Sequence, residues 1–401
     1  MNENESKTFQ YIKLENEKNR YFCLQQHLWV VVWILFFKQN ILRPVIRTNS
    51  TTSSFRAGVG WLRRQYGILT KNIAILIRFA LYHYQLRGTH LVLELPCYGQ
   101  FCVPVHQGWK IFDLRKEVVI KIFDHDVPAA VILGEVERLG YIAKIDFAPS
   151  IRRWNVEKRW YEEDYLNGSL DSSHKPMDSE ALLTKFHDDV VHKLNALILF
   201  QEPKATNAVL YGTNIAKILE SSRLSRQDST VGELKRIQYF VDSIVARLKI
   251  EEDCPILLVF AHGDFVPANM LNTPHGMKMI DWEGAGYRSA LFDFYSYFFY
   301  RSTSRNISVS TLILEVQKAL PLFMAELAKK AQDVSESIRR MESVYRWIFY
   351  IEMLCRLIER EMSDKNLNVL YYISRYLEAF NGYEEILDTC RSSALSSRNP
   401  D

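Results

Sequence analysis

The stretch that most constrains this chain runs from Val259 to Glu283, VFAHGDFVPANMLNTPHGMKMIDWE. The apolar run Cys254–Ala261 reads as a buried strand that breaks into His262-Gly263-Asp264. Asn269 follows five residues after Asp264. Two short apolar segments then flank a turn at Asn272-Thr273-Pro274-His275-Gly276, the pattern of a hairpin. Such a hairpin returns Asp281 to the end where Asn269 stands. A carboxylate able to take a proton from a hydroxyl, beside an amide and a second carboxylate able to hold a hard cation through oxygen, is the equipment of phosphoryl transfer.

Upstream, from His90, the hydrophobic period is that of strands. LVLELP, FCVPV, WKIFDL and VVIKIF are punctuated by Gly99, by His106-Gln107-Gly108 and by Arg115-Lys116-Glu117. Pro128–Leu139 reads as a helix, with Pro128 in a favoured first-turn position and Gly140 as its stop. Lys158–Leu166 is a further strand-like run ended by Asn167-Gly168. Residues 178–250 and those beyond about 289 carry helical patterns, and no internal repeat is visible. A small antiparallel sheet with one helix thus precedes a mainly helical half, an α+β, two-lobed layout.

The motif H-G-D-x-x-x-x-N followed by I-D-W-E resembles the catalytic and metal motifs of the aminoglycoside phosphotransferase and choline kinase superfamily. That superfamily is similar to the protein kinases in fold, but a protein kinase would carry H-R-D and D-F-G. Gly263 and Trp282-Glu283 stand in those places here. The resemblance covers about residues 91–401. It implies a protein-kinase-like fold with a small antiparallel-sheet N-lobe over 91–168 and a mainly helical C-lobe over 169–401. Residues 1–90 then form an extra N-terminal helical segment. It further implies Asp264 as catalytic base, with Asn269 and Asp281 as Mg²⁺ ligands. His262 is expected to brace the loop, Asp293 to be structural, and Glu283 to lie near the metal or cap a neighbour.

A kinase of this fold also needs a strand lysine for the phosphates and a helix glutamate to hold it. Lys121 is a charge amid Val, Ile and Phe, which is costly unless paired. Glu135 lies in the following helix; Glu137, two residues along, is the rival on another face. At the hinge, WYEEDYLNG, the residues Asp164, Tyr165 and Leu166 are expected to offer backbone groups to adenine. No G-x-G-x-x-G is present; the turn at Pro104–Lys110 has Gly108 as its only glycine, and its phosphate contacts stay unassigned. His187 and His192 are wrongly spaced for one helix face, so no metal is expected there. Glu352, Arg356, Glu359 and Glu361 read as a solvated helix face, with the lining of an acceptor cleft as the alternative.

Charge is unevenly distributed. Residues 1–90 hold 13 Lys/Arg against 4 Asp/Glu, and no acidic residue lies between Tyr21 and His90. Residues 1–20 read as a frayed, charged end. Leu28–Phe37 is ten apolar residues long; as a helix it rises about 15 Å, half a bilayer core. A buried helix or strand is one reading of that run; an interfacial segment is the other. Residues 48–60 form a Ser/Thr/Gly-rich linker, and Trp61–Arg87 a basic amphipathic helix. A peripheral membrane contact through residues 21–90 is one consequence. No nucleic-acid partner is expected, because no reading module is recognisable. Six scattered cysteines without a C-x-x-C pair, a polar N-terminus and a sequon at Asn167 inside the hinge all favour the cytoplasm, with a peripheral location on the inner face of the membrane as the alternative. The expected activity is ATP- and Mg²⁺-dependent phosphorylation of a small hydroxyl acceptor. A nucleotide-binding pseudokinase or scaffold is the alternative, against which the intact set of five motif residues argues.

Overall fold

Alternating apolar residues build most of one sheet, but three of its strands come from residues the period did not mark. In the computed structural model the described residues are 8–13, 21–24, 92–105, 107–170, 178–224, 231–251, 254–305, 307–363 and 369–396, with isolated positions between 26 and 80. Two compact units emerge: residues 1–174 with 270–280, and residues 175–269 with 281–401.

The first unit holds an eight-stranded antiparallel sheet. Its strands are β1 (Phe9–Lys13), β2 (Tyr21–Cys23), β3 (Val92–Leu95), β4 (Phe101–Val105), β5 (Gly108–Asp113), β6 (Val118–Phe123), β7 (Ile151–Asn155) and β8 (Trp160–Asp164). Their order is β3-β1-β2-β4-β5-β6-β8-β7. The N-terminal end is therefore not frayed throughout: Tyr11 and Ile12 are fully buried, and β1 pairs with β3 through Tyr11 opposite Leu93. Short strands among charged residues carry too little alternation to be seen, and one of the two partners of β1 lies about eighty residues away. Val31 and Phe79 are buried with Ile12, Phe22 and Phe101 on one face of this sheet, with Phe112 and Tyr165 packed alongside. These described parts of the N-terminal segment make up core. The linker at 48–60 and most of 33–90 lie outside the described residues. Among the described residues no helix is long and apolar enough to cross a membrane.

Helix α1 (Ala129–Ile142) follows β6. Ile132, Glu135, Val136, Leu139 and Ile142 are its buried positions, one face at helical spacing. It runs through Gly140, the expected stop, because Ile142 continues the buried stripe. A small sheet completes this unit: β9 (Ser169–Leu170) pairs with β10 (Met270–Thr273), which pairs with β11 (Gly276–Met279). The hairpin expected within the helical half thus groups with the sheet-bearing unit.

The second unit is mainly helical. It contains α2 (Ser179–Lys185), α3 (Val191–Ile198), α4 (Ala208–Leu224), α5 (Val231–Ile250), α6 (Phe292–Arg305), α7 (Val309–Ala328), α8 (Gln332–Arg340), α9 (Glu342–Ser363) and α10 (Val369–Ser396). Three strands lie among them: β12 (Lys204–Asn207), β13 (Pro255–Ala261) and β14 (Gly286–Ser289), with β13 central. An aromatic core binds α6, α9 and α10. Phe299 meets Phe349, Tyr350, Phe380 and Tyr383 with ring centroids 5.3–5.9 Å apart.

Candidate active site

In the second unit, β13 delivers the His262-Gly263-Asp264 motif. Ala261 lies opposite Gly286 of β14, so residues 262–264 run beside residues 281–285. The two loops touch. A Cβ on Gly263 would stand 2.1 Å from the Gly284 carbonyl oxygen, and Gly263 has φ +76°. Glycine is needed there for both reasons. The His262 ring sits 4.4 Å from that of Trp282.

Asp293, at the start of α6, holds the loop from behind. Its carboxylate accepts the amides of His262 at 2.6 Å and Gly263 at 3.0 Å. Burial pushes its pKa up from 3.8 to about 6, against the opposing pull of those two N–H groups and of Arg288 and Arg356. His262 Nδ1 accepts the Asp264 amide at 3.1 Å. His262 thus hydrogen-bonds within the loop, and the contacts of Asp293 are to loop backbone.

Asn269 Nδ2 donates to the Asp264 backbone carbonyl at 3.0 Å and to Asp264 Oδ2 at 3.1 Å. That geometry turns the amide so that its carbonyl oxygen is left as the donor atom for a cation. The register of β10 and β11 sets Met270 opposite Met279, which brings Asn269 and Asp281 together at the open end of the hairpin. The turn is tighter than expected, with Pro274-His275 as its two central residues. Asp281 has φ +67°, a left-handed conformation that tolerates Asp better than most residues. An amide oxygen and a carboxylate are hard donors that suit Mg²⁺. Among the described residues no group of three or more His, Cys, Asp and Glu stands ready to hold a metal ion.

Helix α9 adds a residue that the sequence placed elsewhere. Arg356 is buried, and its Nη2 lies 3.3 Å from Asp264 Oδ2. Its neighbour one turn back, Glu352, is also buried. Glu352 accepts the Tyr211 hydroxyl at 2.7 Å, the Ser289 amide at 3.0 Å and the Ser289 hydroxyl. The expected solvated face is therefore an interior one at these positions, although Glu359 is exposed. The signal was present: Glu and Arg within YIEMLCRLI are charges amid apolar residues, the pattern that singled out Lys121.

In the first unit, Lys121 stands on β6, flanked by β5 and β8, and is not on an edge. Its Nζ lies 2.8 and 3.0 Å from the two Glu135 oxygens, and the pair is buried. Tyr161 on β8 donates to Glu135 Oε1 at 2.9 Å, a third member that sequence spacing did not reveal. Glu137 is exposed.

The hinge is partly different from the expectation. The Asp164 amide is given to the Ser150 carbonyl and the Tyr165 amide to the Glu117 carbonyl. Neither is left to donate to a base, because the residue before β7 and the β5–β6 turn already take them. The Asp164 side chain pairs with Arg152 at 2.6 Å, and the Tyr165 ring packs on Phe112 at 6.5 Å between centroids. The Leu166 amide has no partner among the described residues. Gly108 proves to be a packing glycine: a Cβ there would meet the Ile122 carbonyl oxygen at 1.9 Å.

A family model described as the phosphotransferase enzyme family matches residues 109–313, just over half of the chain. No curated protein matches. Among solved structures, an ethanolamine kinase from Plasmodium vivax is similar at 14% identity and TM-score 0.49, over 77% of this chain and 88% of that one. A choline kinase from Streptococcus pneumoniae is similar at 13% and 0.44, over 70% and 90%. A glucosamine kinase in complex with glucosamine, ADP and inorganic phosphate is similar at 12% and 0.41, over 72% and 80%. Identities this low carry no acceptor across.

Proposed function

Since the chain belongs to the phosphotransferase enzyme family, we propose that it transfers the γ-phosphoryl group of ATP to a hydroxyl of a small polar acceptor. A sugar, an amino alcohol, an aminoglycoside or a glycan precursor would serve. The observation that carries this reading is Asp264 hydrogen-bonded to Asn269 on a loop that runs beside Asp281. Asp264 accepts the proton of the attacking hydroxyl as its oxygen bonds to phosphorus and the bond to the ADP oxygen breaks. Asn269 and Asp281 would hold Mg²⁺, which supplies neutralising charge to the phosphates when bound. Lys121, oriented by Glu135 and Tyr161, addresses the α- and β-phosphates. Leu166 offers its amide to adenine, and Asp164 and Tyr165 shape the hinge.

Mg²⁺-dependent ATP consumption against a pool of hydroxylated metabolites tests this, with Asp264→Asn beside the wild type. The expected result is transfer to one acceptor class and a loss of about 10²–10⁴-fold in the variant. ATP binding without transfer to any acceptor, lipid-linked ones included, would replace the kinase with a nucleotide-binding scaffold.

A further inference from the structure

Within that reading, on which it rests, we infer that Arg356 is a positioning residue for Asp264. Among the described residues, Asp264 Oδ2 accepts a hydrogen bond from Asn269 Nδ2 at 3.1 Å and is ion-paired with Arg356 Nη2 at 3.3 Å. The first comes from the same loop and moves with it. The second comes from α9, a helix embedded in the aromatic core of its unit, so it ties the carboxylate to a rigid frame. A hydrogen bond from the loop and an ion pair from an independent element together restrain the carboxylate more than the loop contact by itself.

The guanidinium packs against Gly284, in the loop that follows Asp281. A Cβ at Gly284 would meet Arg356 Nη2, Cζ and Nη1 at 3.1, 3.2 and 3.3 Å. The same charge acts on Asp293, which grips the backbone of the catalytic loop, and on the buried Tyr376, which also feels Asp264. One guanidinium thus bears on the base, on the aspartate behind the base and on the loop that carries Asp281. Misplacing a reacting group by about 1 Å can cost about 10²-fold in rate without weakening substrate binding. Arg356 is therefore expected to act on kcat and to leave KM for ATP alone.

Arg356→Ala, Arg356→Lys and Gly284→Ala are compared with wild type and Asp264→Asn. The probe is Mg·ATP, with water as the acceptor and with any acceptor the metabolite pool yields. Arg356→Ala should lower kcat by about tenfold or more with KM for ATP within about twofold, and added guanidinium chloride should restore part of the rate. Arg356→Lys should keep an intermediate rate, because an ammonium retains the charge without the flat fork. Gly284→Ala leaves every charge in place and pushes the guanidinium aside. It should reproduce the kcat loss in smaller measure, which holds even if Arg356→Ala folds poorly. A wild-type kcat in Gly284→Ala and Arg356→Ala, while Asp264→Asn is inactive, overturns this inference alone. Loss of rate that guanidinium does not restore, with KM for ATP rising in step, also overturns it and leaves Arg356 a packing residue. Wild type that turns over no Mg·ATP with any acceptor overturns the phosphotransferase reading and this inference with it.

Discussion

A lysine in the middle of a sheet is tolerable only because of what faces it. Lys121 is 1% exposed, and its partner Glu135 also takes the Tyr161 hydroxyl. Removing one member of a buried pair strands the other, which typically costs about 3–5 kcal/mol. Lys121→Met should lower unfolding free energy by that amount in chemical denaturation. The double variant Lys121→Met/Glu135→Gln should recover part of it, since a neutral amide still accepts from Tyr161. Additive losses would mean that the pair contributes nothing to stability. Asp293 makes a different prediction. Its folded pKa of about 6 exceeds the unfolded 3.8, so the folded state holds the proton more tightly. The associated stability is fully present below about pH 4 and is lost as pH rises through about 6, to a total on the order of 2–3 kcal/mol. Asp293→Asn does not titrate. Apart from a constant offset, the difference between wild type and variant should move against the wild type between pH 4.5 and 6.5 and then level off. A flat difference would place the Asp293 pKa at its ordinary value.

Elements set where these residues stand. The β4–β5 hairpin closes with Val105 opposite Gly108, and β5 then pairs with β6, Gly108 opposite Phe123 and Lys110 opposite Lys121. Because a Cβ at Gly108 would collide with the Ile122 carbonyl, Gly108→Ala must part β5 from β6 locally. Overpacking of this kind costs about 1–3 kcal/mol. The same variant should also weaken ATP binding through Lys121. Unchanged stability and ATP affinity would show that the strand ends yield freely. The β10–β11 hairpin works in the other direction. Its pairing, rather than any contact of its own side chains, spaces Asn269 from Asp281, and so its length matters more than its composition.

At the scale of the whole molecule, the first unit carries the residues proposed for the nucleotide and the second those proposed for the base and the cation. A ligand that binds only the folded state stabilises it by about 2.7 kcal/mol at a hundred times its Kd. Mg·ATP should therefore raise the thermal transition of the wild type by a few degrees. Asp281→Asn should retain only the Mg²⁺-independent part of that rise. Equal shifts in both proteins would remove Asp281 from the cation site. Two units need not unfold together, so calorimetry on wild type should be resolved into its transitions before shifts are compared.

The chain's own order determined whatever depends on near neighbours. Strand alternation, the helix face that carries Glu135, and the spacing of Asp264, Asn269 and Asp281 are set over a few residues to about twenty, within reach of periodicity and turn chemistry. The pairing of Lys121 with Glu135 was legible for a related reason: an isolated charge on an apolar strand demands a partner, and the next helix offers one. Tertiary structure alone decided the rest. It brought Phe9–Lys13 into a sheet with Val92–Leu95, turned Glu352 and Arg356 inward and gave Arg356 to Asp264. It also spent the hinge amides of Asp164 and Tyr165 on Ser150 and Glu117. Each of those outcomes joins groups from separate elements. A side chain's burial, and whether a backbone amide is already taken, depend on what the folded chain brings against it, which no local pattern encodes.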